Sequence, residues 1–111
     1  MTTMTPPQKS RRETLEGFVA ANPNDAFARY GLAMECATTG DAAAAVEHFA
    51  KLLAAHSDYV PGYYHYGTLL ARLGRKDEAR KILTDGVAAA RKAGNSHAQS
   101  ELETALQEAS A

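Results

Sequence analysis

Apolar positions along the chain recur at three- and four-residue spacing, and nowhere do they alternate with polar ones over a strand-length run. Ser10 and Glu13 have the spacing of a capping box, which predicts a helix from near Arg11 with Leu15, Phe18 and Val19 as its apolar stripe. Asn22-Pro23-Asn24-Asp25 ends it, and a second helix is predicted from about Asp25 to Thr38, closed by Gly40. Asp41 caps a third, from Ala42 to Ala55. After the turn His56-Ser57-Asp58, Asp58 is expected to cap a fourth helix. Pro61 falls in its first turn, where the N–H groups have no helical partner anyway. Gly74 stops that helix. A fifth runs from about Lys76 to Ala93 and ends at Gly94, with Asp77 and Glu78 at the positive end of its dipole. Ser96 and Gln99 form a second capping-box pair that opens a last helix, to about Ala109. The prediction is an all-α chain of six helices with short loops, a single domain over residues 10–110, preceded by a flexible tail over 1–9.

Composition strengthens that reading and removes several function classes. The chain of 111 residues holds 23 alanines, the residue whose ordering in a helix costs no side-chain entropy. An apolar share of 45% is too high for a disordered chain. Lys and Arg number 12 against 13 Asp and Glu, a balance that speaks against a dedicated nucleic-acid arm or an acidic tail. One cysteine excludes an intramolecular disulfide framework and a Cys-rich zinc site. No apolar run approaches the roughly 20 residues of a membrane span, and the polar start has no secretory apolar region. A cytoplasmic protein without membrane contact is expected.

The chain also matches itself at a shift of 34 residues. Tyr30 meets Tyr64, Ala37 meets Ala71, Gly40 meets Gly74, Ala45 meets Ala79, and Ala54-Ala55 meets Ala88-Ala89. Phe49 with Leu83 and Leu53 with Val87 are conservative partners. Two helices per 34 residues is the period of the tetratricopeptide repeat. The residues carry the resemblance further. Tyr63, Tyr66, Gly67 and Leu70 stand in the large, apolar, small and aromatic series of that family, followed by Ala79 and Leu83. Leu32, Ala33 and Cys36, then Ala45 and Phe49, do the same in the preceding unit. The first helix resembles the second half of a truncated repeat, with Pro23 at the family's terminal proline. The likeness spans roughly residues 11–109.

That resemblance implies a right-handed solenoid of about six antiparallel helices: two full repeats, about 25–58 and 59–92, flanked by a helix at each end, the last (96–109) a cap. Small residues Ala33, Gly67, Ala45 and Ala79 would let paired helices approach. Tyr63, Phe49, Leu83 and Leu53 would fill the gaps between pairs. Arg29 departs from the family's bulky aromatic, Ser57 and Arg91 from its terminal proline, and Arg75 from the acidic cap seen at Asp41.

Candidate chemistry is sparse. His48, His56, His65 and His97 form no His pair at i,i+4 and no Cys/His cluster, so they read as surface or boundary histidines, and no metal or cofactor is expected. Cys36 reads as a buried, inert thiol, Tyr63 and Tyr66 as core. No catalytic constellation is found and no enzyme is expected. By family register, Phe27, Tyr30, Met34 and Thr38 from one first helix and Tyr64, Thr68 and Arg72 from the next line a concave groove. Tyrosine, arginine and methionine suit protein contacts. The expected function is therefore binding of a peptide or helix of a partner protein. The family's clamp for the terminal carboxylate of heat-shock chaperones uses Lys and Asn where Tyr30, Met34, Tyr64 and Thr68 stand, so that ligand is not expected. Two rivals are a homo-oligomerising scaffold, with contacts at Phe18 or Leu106, and nucleic-acid binding by the stretch 72–92, where seven basic residues face three acidic ones.

Overall fold

The structure is a computed structural model and describes residues 10–111. The tail expected over 1–9 lies outside the described residues. Six helices follow one another: α1 (Arg11–Ala21), α2 (Ala26–Thr38), α3 (Ala42–Ala55), α4 (Val60–Arg72), α5 (Lys76–Lys92) and α6 (Ser96–Ser110). No strand occurs among the described residues. Each helix packs on the next, α4 also touches α6, and α2 touches α4. The radius of gyration is 16.1 Å and the extents are 60 × 27 × 21 Å, against about 13 Å for a compact domain of this length. The helices form a row.

Two kinds of turn set the row. Gly40 (φ 89°) and Gly74 (φ 80°) follow α2 and α4 in the left-handed region that a β-carbon disfavours. There Asp41 N–H donates to Cys36 O and Arg75 N–H to Leu70 O, both at 2.9 Å, the long bond of a Schellman turn. After α1 and α3 the chain leaves without a glycine turn, through Asn22 (φ −143°) and His56 (φ −135°). The alternation breaks after α5, which ends in a third glycine turn at Gly94 (φ 69°). First helices therefore begin at 26, 60 and 96, so the spacing of 34 becomes 36 at the last step.

Two of the four expected caps, Ser10 and Asp41, hold, and Asp25 adds a cap at α2. Ser10, Asp25 and Asp41 accept from the backbone N–H of Glu13, Ala28 and Ala44. Two expectations are corrected. Asp58 does not cap α4: the cap position is Tyr59, which makes no side-chain cap bond. Asn95, not Ser96, caps α6, accepting from Ala98 N–H at 3.0 Å. The Gly94 turn fixes Asn95 by its own N–H, donated to Ala90 O at 2.9 Å, and so sets its side chain over the first turn of α6.

The core runs along the row. Ala33, Cys36, Ala45, Phe49, Leu52, Leu70, Ala79 and Leu83 are fully buried. A β-carbon on Gly86 would stand 2.6 Å from Tyr63 Cβ and 2.9 Å from Leu102 Cδ2, so glycine is what lets α4, α5 and α6 meet. Phe49 stacks on Tyr66 with centroids 5.7 Å apart, joining the first pair to the second. Tyr63 is buried with its hydroxyl donated to Ser57 O at 2.7 Å. Leu53 is only half-buried. α1 differs from the rest: it has no buried residue and is held by half-buried Leu15 and Val19 and by ion pairs from Arg11 to Glu35 (3.2 Å) and Arg12 to Asp41 (2.8 Å).

Candidate functional site

Side chains of α2 and α4 define the candidate site. Met34 and Thr38 stand across from Thr68 and Arg72, and the four line a cleft of about 180 Å³ with Phe49 and Leu69 behind them. Both threonines turn their hydroxyls inward onto their own helices: Thr38 donates to Met34 O at 2.9 Å and Thr68 to His65 O at 3.2 Å. They therefore present methyl groups and satisfied hydroxyls. Arg72 is exposed and has no carboxylate within ion-pair distance among the described residues. The cleft thus combines the apolar side chains of Met34, Ala37, Phe49 and Leu69 with the polar atoms of its threonines and His65, and has one cation at its rim.

Tyr64 faces the neighbouring cleft, of about 240 Å³, between α4 and α6, together with Pro61, His97 and Glu101. His97 Nε2 and Glu101 Oε1 are 2.8 Å apart there. Tyr30 packs near α4, 5.3 Å from Tyr59 and 5.9 Å from His65 by ring centroid. Phe27 is placed elsewhere, in a hollow between α1 and α2 with Leu15 and Phe18. Of the seven residues expected to share a groove, four line one cleft, Tyr30 and Tyr64 flank it through His65, and Phe27 is separate from it.

His65 is the residue that sequence reasoning missed. It lines both clefts, and Tyr64 meets it edge-on at 5.3 Å. Burial pushes its pKa below the usual histidine value, with Glu101 pulling weakly the other way. The lowered pKa favours the neutral ring, which serves as an aromatic wall. Its neighbours in the chain, Tyr64 and Tyr66, drew attention to the segment, but the register followed the i,i+4 row from Tyr64 and passed His65 by.

Other candidates resolve simply. Cys36 is buried, and desolvation raises its thiol pKa, so the unreactive thiol form dominates. No three His, Cys, Asp or Glu side chains gather to hold a metal ion among the described residues. Three of the seven basic residues in 72–92 are engaged locally: Arg75 with Glu78 at 2.6 Å, Lys81 with Asp85 at 3.2 Å, and Arg80 with Asp77. No described helix is long and apolar enough to cross a membrane.

A model of the tetratricopeptide repeat family matches residues 37–106. Among solved structures, the chain is similar to a tetratricopeptide repeat domain protein from Salinibacter ruber. The solution structure of that domain shares 39% identity over 79% of this chain and 89% of that one, with a TM-score of 0.75. Its crystal structure gives 38% identity over 78% and 97%, with a TM-score of 0.74. A solution structure of a protein from Bordetella parapertussis shares the fold, with 24% identity, coverage of 93% and 90%, and a TM-score of 0.78. No curated protein matches the chain.

Proposed function

The chain belongs to the tetratricopeptide repeat family, whose domains generally mediate protein–protein interactions and are typically non-catalytic; from that premise we propose that the cleft between α2 and α4 holds a peptide or helix of a partner protein. The observation that carries this reading is the pairing of Met34 and Thr38 with Thr68 and Arg72 over the buried Phe49 and Leu69. The apolar side chains Met34, Phe49 and Leu69 take an apolar side chain of the ligand, and Arg72 at the rim takes a carboxylate. A Met-lined wall adjusts to shape at small cost. The walls stand on packed helices, so little ordering accompanies binding.

The test is affinity capture from native cytoplasmic extract with the full chain, wild type beside Met34→Glu and Arg72→Glu. Arg72 is exposed and Met34 half-buried, and circular dichroism checks that both variants keep the fold. Loss of the same partner from both variants supports the reading. Retention of all captured partners by both variants refutes it.

A further inference from the structure

Phe18, Phe27 and Leu73 are the exposed large apolar side chains of the described residues, and two of the three share one place. Phe18 is 57% exposed and Phe27 76%; both line the hollow of about 410 Å³ between α1 and α2, with Leu15 and Gly31 at its floor. The repeat register explains why this hollow is apolar. Leu15 corresponds to Phe49 and Leu83, and Phe18 to Leu52 and Gly86, at shifts of 34 and 68 residues. All four of those mates are buried, because α3 and α5 have a helix on both sides. No described helix covers the corresponding side of α1.

A further helix of the repeat kind does not fit there. Ala45 and Ala79, fully buried, let the paired helix approach α3 and α5. At the same place on α1 stands Arg11, exposed and tied to Glu35 at 3.2 Å. The occupant therefore meets a flatter, aromatic face with a charge at each end. Helices α1 and α2 are antiparallel, so Arg11, which opens α1, and Asp25, which caps α2, lie at opposite ends of the hollow they both line.

We infer that this face is a dimerisation surface whose occupant is a second copy of the chain. A two-fold axis through the middle of the hollow sets Arg11 of each copy against Asp25 of the other, with Phe18 and Phe27 between them. This is the self-complementarity an isologous contact requires. Arg11 keeps Glu35 while doing so, since a guanidinium offers five donors. Helices of 11 and 13 residues, at about 1.5 Å per residue and about 10 Å across each, give a face of roughly 18 by 20 Å. That is below the about 800 Å² per partner of a standard interface, so the dimer is weak and reversible.

Sedimentation velocity on the full chain, from about 1 µM to about 1 mM, reads the association. The wild type is expected to pass from monomer to dimer within that range. Phe18→Glu and Phe27→Glu, with unchanged helical circular dichroism, shift the transition at least about tenfold upward, while Met34→Glu leaves it in place. Arg11→Glu and Asp25→Lys each weaken the dimer, and the double variant restores it, which only contact between these two positions across the axis achieves. A chain that stays monomeric throughout, or a dimer indifferent to both phenylalanine variants, overturns the inference. So does a chain that dimerises only after residues 1–9 are removed, since the hollow then belongs to its own N-terminal segment.

Discussion

Gly67 in α4 lies against Leu83 in α5 so closely that a β-carbon on the glycine would stand 2.4 Å from Leu83 Cδ2 and 2.5 Å from its Cγ. Leu83 is fully buried, so it cannot swing away. This contact sets the spacing of the second helix pair, and with it the position of Thr68 and Arg72, which follow on the same helix.

Gly67→Ala is therefore expected to destabilise the chain by about 1–3 kcal/mol, although alanine is the better helix former by about 1 kcal/mol. Urea unfolding measures it. Gly67→Ala combined with Leu83→Ala should cost less than the sum of the single changes, because the truncated leucine no longer meets the new methyl. Additive costs would show that the two residues do not share the contact.

Two other glycines should respond in opposite directions. Gly17 sits mid-helix in α1 with nothing near its missing β-carbon, so Gly17→Ala should stabilise by about 0.5–1 kcal/mol. Gly74 also has open space around it but holds φ 80°, so Gly74→Ala should destabilise by about 1 kcal/mol or more. Thermal unfolding of the two variants checks the sign of each change.

α1 should open first. Its anchors are half-buried Leu15 and Val19 and two ion pairs that remain open to solvent on at least one side, which contribute little each. Native-state hydrogen exchange should find its amides the least protected of the six helices, with α4 the most protected. Raised salt should lower α1 protection further, by screening Arg11–Glu35 and Arg12–Asp41.

Stability should fall as pH drops below 6.5. Burial holds His48 and His65 below their usual value, and for His48 the Arg29 guanidinium, 3.2 Å from Nδ1, adds to the effect. A histidine whose folded pKa is depressed binds more protons unfolded than folded. Its contribution is fully present above the unfolded value and is lost as pH falls through the window below it. The carboxylates held low, Asp41 by Arg12 and Glu78 by Arg75, act in a more acidic window. The urea midpoint should therefore decline between pH 7 and 5.5, and a His48→Gln/His65→Gln variant should flatten that decline.

Much of the fold was legible because its signals are local. A glycine after a helix, a Ser or Asp before one, and apolar residues at helical spacing act within a turn, so α1, α2 and α3 have nearly the predicted bounds. The misplaced caps at Asp58 and Ser96 are neighbours of the actual cap positions. There the choice between adjacent residues depends on how the preceding helix ends, and α5 ends in a glycine turn where α3 ends without one. The candidate site was less legible. Phe27, Tyr30 and Met34 share a helix, but which neighbour each faces depends on α1, α3 and α4. Phe27 turns to α1, Tyr30 to Tyr59 and His65, and Met34 to the cleft.

The sequence by itself determined the all-α repeat, its helix starts and stops, and the small residues that permit close packing, because short-range sterics and a 34-residue period are written in residue order. Only the tertiary structure decided that Phe27, Met34 and Tyr64 line three different hollows and that His65 lines two of them. It also decided that Phe18 stays exposed where its repeat-mates Leu52 and Gly86 are buried. Those outcomes depend on which helix lies beside which, and a side chain's burial is fixed by its neighbours in space.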